Sequence, residues 1–145
     1  MQPGKRKRIV GGICILYGLL LLYSGWVKLQ DLAAFRTSLE DSAYLDGAAR
    51  VLVRVVPVVE LLAVVALVIH RLAGLIIGTG LIAVFTAYLL AVLQAGPVLA
   101  CGCGGWLERL PPPVHLALNG FFILIGLLGI GMELQARRTV KIVRA

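Results

Sequence analysis

The sequence predicts an all-α integral membrane protein: a bundle of four transmembrane helices formed by a single domain over residues 1–145. Three observations predict it. Of the 145 residues, 60% are hydrophobic and only 14% charged, whereas a soluble domain carries roughly a quarter charged residues. The apolar residues are gathered into four long runs separated by short polar segments. Each run approaches or exceeds the roughly 20 residues that a helix needs to cross about 30 Å of hydrocarbon. A membrane barrel would instead need many short alternating strands.

The first span is read at residues 9–27, the second at about 51–69, the third at 72–95 and the fourth at 114–134. The first follows the basic run Lys5, Arg6, Lys7 and Arg8, as a secretory signal would. It is longer than a signal core of about 7–15 residues and no small-residue cleavage site follows it, so it is expected to stay as a helix. Between the first and second spans, Leu32, Phe35 and Leu39 recur at helical spacing. They predict a short amphipathic helix lying on the membrane surface. His70 and Arg71 leave room only for a tight turn between the second and third spans. Residues 96–113 form a glycine- and proline-rich connection. Gly78, Gly80, Gly120, Gly126, Gly129 and Gly131 are expected to let helix backbones approach closely.

The net charge of +7 could suggest nucleic acid as a partner. Its distribution argues for lipid, because the basic clusters lie directly beside apolar runs and no folded nucleic-acid module fits outside them. The two termini and Arg71 hold nine basic residues, while residues 28–50 and 96–113 hold four basic and five acidic ones. By the positive-inside rule both termini belong in the cytoplasm and the connection 96–113 outside it. The expected location is the inner (plasma) membrane. Trp26 and Trp106 then fall near the outer interface, where indoles prefer to sit.

The connection 96–113 carries Cys101-Gly102-Cys103, followed by Gly104 and Gly105. Two cysteines one residue apart can close a short, strained disulfide, which is labile rather than structural. In an oxidising compartment such a pair can cycle. An inert pair and a soft-metal clip for Cu(I) are the other readings of the spacing. Cys14 lies in the opposite half of the bilayer and reads as a small apolar residue.

Glu60 sits in the middle of the second span with no lysine or arginine within a turn of its own helix. A carboxylate in hydrocarbon is costly and suggests function. Pro57, three residues earlier, removes a backbone hydrogen bond and can kink the helix beside Glu60. Lys28, Arg54, Tyr88, Asn119 and His115 fall in the same half of the bilayer and, with Glu60, are expected to line one polar pocket below the cysteines. Fixing helix register is the alternative role for Glu60.

The pattern resembles the MauE branch of the DoxX-like membrane proteins. The likeness is carried by Gly-Trp-Val-Lys-Leu-x-Asp at residues 25–31 followed by Phe35, by Val-Pro-Val-Val-Glu-Leu at 56–61, by the third span, and by Cys-Gly-Cys-Gly-Gly at 101–105. Gly104 stands where that family usually has an aromatic residue. The resemblance implies thiol–disulfide chemistry outside the cytoplasm; Cys101 and Cys103 are then the expected redox pair, with Glu60 a proton carrier or structural polar anchor beneath it. It further implies an extracytoplasmic thioredoxin-like or disulfide-rich client protein, such as the small subunit of methylamine dehydrogenase. The architecture is also similar to the four-helix thiol oxidoreductases vitamin K epoxide reductase and DsbB, which brings a membrane quinone as the candidate cofactor; no metal site is assigned. A non-enzymatic DoxX-like subunit or scaffold is the other function the sequence allows. A small transporter fits less well, since the repeated halves usual in transporters are missing.

Overall fold

In the computed structural model, residues 3–40, 46–95 and 110–144 are described. They form five helices: α1 (Pro3–Gln30), α2 (Leu32–Glu40), α3 (Ala49–Ile69), α4 (Arg71–Ala95) and α5 (Pro112–Arg144), with one 3-10 turn at Asp46–Ala48 before α3. Among the described residues there is no strand. Helices α1, α3, α4 and α5 are each long and apolar enough to cross a membrane. They form a ring in which α1 packs on α3, α3 on α4, α4 on α5 and α5 back on α1. The α3–α4 turn lies at one end with the start of α1 and the finish of α5. We call this the turn end, and the opposite end, where α1 stops and α4 and α5 are joined, the loop end.

The distribution of side chains is that of a protein dissolved in lipid. Ile15, Leu19, Val68 and Leu124 are 61–81% exposed, while Ser24, Lys28, Glu60, Thr79, His115 and Asn119 are buried. A water-soluble bundle would arrange these the other way round. The chain is a multi-pass membrane protein.

Local chemistry sets the helix boundaries. Asp31 breaks α1 from α2, and its Oδ1 accepts the Ala34 N–H at 2.9 Å, a side-chain cap on the first turn of α2. At the α3–α4 turn the N–H of His70 reaches the Ala66 carbonyl at 2.7 Å and Gly74 N–H reaches the His70 carbonyl at 3.0 Å. A Cβ on Gly74 would strike the backbone of Leu67, so a side chain there would push α4 off α3. Helix α5 begins earlier than the fourth span was drawn. Pro112 and Pro113 form its first turn, where a missing N–H removes no helical hydrogen bond. The Val114 and His115 N–H groups close on the Pro111 carbonyl at 2.9 and 3.1 Å.

Helix α2 forms as predicted, with Phe35 and Leu39 packed on Ala49 and Val53 of α3 and Leu32 exposed. Helix α3 presents an apolar stripe there, and packing against protein satisfies the same face. Of the six glycines expected at close contacts, Gly80, Gly120 and Gly131 face open space. Gly78, Gly126 and Gly129 do make such contacts, as does Gly25.

The main core is centred on Tyr17, which is fully buried. Its hydroxyl donates to the Phe122 carbonyl at 2.5 Å and lies 3.1 Å from Thr79 Oγ1. With the tyrosine proton given to the carbonyl, the threonine hydroxyl is the donor of the second bond. Its ring meets Phe122 edge to face at 5.6 Å. A Cβ on Gly126 would collide with both hydroxyl oxygens, so glycine there is what admits this three-helix junction.

Candidate functional site

Helix α3 buries one stripe, Ala49, Val53, Pro57, Glu60, Ala63 and Leu67, at the three- and four-residue spacing of a helical face. Glu60 is therefore buried by its register, although its chemistry opposes it. What makes the burial tolerable comes from α1. Lys28 Nζ lies 2.8 Å from Glu60 Oε1, with the side chains 2% and 1% exposed. Ser24, one turn before Lys28 and on the same face, donates to Glu60 Oε1 at 2.9 Å and accepts from Lys28 Nζ at 2.6 Å. Ammonium, hydroxyl and carboxylate oxygen form a closed triangle. Glu60 Oε2 is buried with no hydrogen-bond partner among the described residues.

The lysine also organises its surroundings. Nζ stands 5.6 Å from the Phe35 ring centroid and 5.2 Å from that of Phe85, both within cation–π range. Through this one side chain, α1 is tied to α2, α3 and α4. Gly25 lies against this site: a Cβ at that position would sit 3.4 Å from the Glu60 Cβ and from Leu61, in contact with both.

The other expected pocket residues are distributed differently. His115 and Asn119 are buried in the half of α5 nearer the loop end, and Tyr88 is half-buried in the corresponding half of α4. Arg54 departs from the expectation. It is exposed because it follows Val53 of the buried stripe by one residue, a rotation of about 100° away from the bundle. Cys14, half-buried, packs at the edge of the main core. Cys101 and Cys103 lie outside the described residues. The connection that carries them leaves α4 and enters α5 at the loop end.

Ser24, Phe85 and Thr79 were not singled out in the sequence. For Ser24 a signal was present: it lies four residues before Lys28, so one buried residue of the pair brings the other with it. Nothing local marks Phe85, whose part depends on the height at which α4 passes Lys28.

A family model described as methylamine utilisation protein MauE matches residues 6–132. Neither a curated protein nor a solved structure matches the chain. The matched stretch holds the segments 25–31 and 56–61, which carry Lys28 and Glu60, as well as the cysteine pair and every span but the tail of α5. The chain belongs to the MauE family of membrane proteins.

Proposed function

We propose that this protein exchanges thiols and disulfides with a protein client outside the cytoplasm, with Cys101 and Cys103 as the reacting pair. The observation that carries the reading is the Cys101-Gly102-Cys103 sequence, flanked by further glycines, in a chain of the MauE family. In the oxidising direction a client thiolate attacks one sulfur of the Cys101–Cys103 disulfide and the other sulfur leaves as thiolate. The second client thiol then attacks the mixed disulfide, so the client gains a disulfide and the pair receives two electrons and two protons. The reducing direction runs through the same intermediate. With one pair, the electrons pass directly to a soluble partner or to a membrane quinone. The proposed client is the disulfide-rich small subunit of methylamine dehydrogenase or a related protein, a reading that rests on the resemblance to MauE; the family's description speaks of methylamine utilisation. Glu60, clamped by Lys28 and Ser24, acts as a polar anchor or proton carrier beneath the pair.

A non-enzymatic scaffold is the second reading. It is favoured by the closed triangle at Glu60, which is also what a contact fixing helix register would look like. One experiment separates them. Removing one sulfur from an exchanging pair arrests the reaction at the mixed disulfide, so Cys101→Ser or Cys103→Ser accumulates a reducible adduct with an extracytoplasmic protein on a non-reducing gel of membranes. If neither variant traps a partner and the double variant still supports client maturation, the scaffold reading stands.

A further inference from the structure

Two close contacts at one glycine fix the relative heights of the helices at the turn end. A Cβ on Gly129 of α5 would lie 3.2 Å from Leu75 of α4 and 3.4 Å from Ile13 of α1, so these three residues share one level. Taking 1.5 Å per residue, Arg71 at the head of α4 is about 6 Å beyond that level, Pro3 about 15 Å and Arg144 about 22 Å. The α3–α4 hairpin therefore stops where the neighbouring helices α1 and α5 continue, leaving a step.

The cations gather on this step. Arg71, the four basic residues 5–8 of α1, and Arg137 and Arg138 of α5 all fall about 6–14 Å beyond the common level. They are exposed, with Arg6 half-exposed. Glu133, the acidic residue described at this end, stands 3.6 Å from Arg137. Seven positive groups from three separate segments thus occupy a band about 8 Å deep. That is close to the depth of the headgroup layer of one leaflet, about 5–8 Å. Beside this band are exposed apolar side chains: Val68 and Ile69 at 81% and 69%, Ile9 at 46% and Leu134 at 42%. At the loop end Lys28 and Arg36 are paired with Glu60 and Glu40, and Arg50 and Arg54 of α3 are exposed, a smaller group of cations carried by one helix.

We propose that the step is a binding collar for anionic phospholipid. The phosphates lie against the cations of α1, α4 and α5, and the acyl chains against Val68, Ile69 and Ile9. A soluble polyanion would match the charge but not the apolar side chains beside it. The collar gives the turn end the larger group of exposed cations and with it the stronger preference for one lipid class.

The test uses the full chain in proteoliposomes of phosphatidylcholine containing trace spin-labelled phosphatidylglycerol or spin-labelled phosphatidylcholine. Electron spin resonance reads the fraction of each label held at the protein surface. Phosphatidylglycerol should associate at least about fivefold more strongly, the worth of one engaged basic side chain. The preference should collapse in molar salt, where charges are screened within about 3 Å. It should also collapse on combining Arg6→Gln, Lys7→Gln, Arg8→Gln, Arg137→Gln and Arg138→Gln, with circular dichroism verifying that the helices persist; the salt series on the unaltered chain decides the matter if that variant fails to insert. Equal association of the two lipids overturns the proposal, as does a preference that survives neutralisation. Retention on heparin in detergent without any lipid preference would identify a soluble polyanion as the occupant and would equally overturn it.

Discussion

Lys28 Nζ sits 2.8 Å from Glu60 Oε1, joining the end of the first span to the middle of the second. Both side chains are buried, so each charge is tolerable only because the other is there. Removing one partner of a buried pair typically costs about 3–5 kcal/mol, whereas replacing both with apolar residues can be close to neutral. Glu60→Leu is therefore expected to lower stability on that scale, and adding Lys28→Met to recover most of it. Thermal unfolding of the purified protein in detergent checks this. A double variant as unstable as Glu60→Leu alone would show that the pair is not what holds α1 to α3.

The same contact gives a functional expectation. Glu60→Gln keeps an oxygen for Lys28 and Ser24, so the protein should remain folded while thiol exchange with its client falls. Glu60→Leu should lower exchange at least as far. Wild-type exchange rates in a correctly folded Glu60→Leu variant would leave Glu60 without a part in the chemistry.

Glycines that look alike in sequence should respond differently. Gly126→Ala places a methyl group against Tyr17 Oη and Thr79 Oγ1, and overpacking of this kind costs about 1–3 kcal/mol. Gly120→Ala and Gly131→Ala add a methyl where nothing lies within 4 Å, and should be neutral or raise stability by up to about 1 kcal/mol through the helix propensity of alanine. Melting temperatures of the three variants, measured side by side, provide the comparison. Equal losses would mean that the Tyr17 junction does not set the helix spacing.

Orientation follows from charge. Both termini are expected in the cytoplasm, so a membrane-impermeant maleimide applied to intact cells should leave cysteines introduced at positions 5 and 140 unlabelled. It should react with them after permeabilisation. Labelling in intact cells would reverse the bundle and put the cysteine pair on the cytoplasmic side.

Cys14 should be silent. It packs at the edge of the main core, in the half of α1 nearer the turn end and away from the end at which the 96–109 connection leaves α4. Cys14→Ser is expected to leave client maturation unchanged and to trap no adduct. Loss of maturation in that variant would bring a third sulfur into the reaction and contradict a two-cysteine mechanism.

The sequence by itself determined the number, order and approximate limits of the spans, the short helix after the first of them, the turn at His70, and Glu60 as the charge to be explained. These follow from transfer into lipid and from local turn chemistry, which each segment settles from its own composition. The tertiary structure decided who meets whom. The sequence placed Lys28 in the same half of the bilayer as Glu60 but did not single it out from Arg54, Tyr88, Asn119 and His115 as the partner, because Lys28 is 32 residues away and reaches Glu60 only through the packing of α1 on α3. Arg54 shares the second span with Glu60 but turns outward, and α2 lays its apolar face on α3 where lipid would have served its hydrophobicity equally well. Helix rotation and relative height are properties of pairs of helices, fixed by the shapes that interlock between them. A hydropathy pattern read along one chain contains the depth of each residue but not the direction from which its partner arrives.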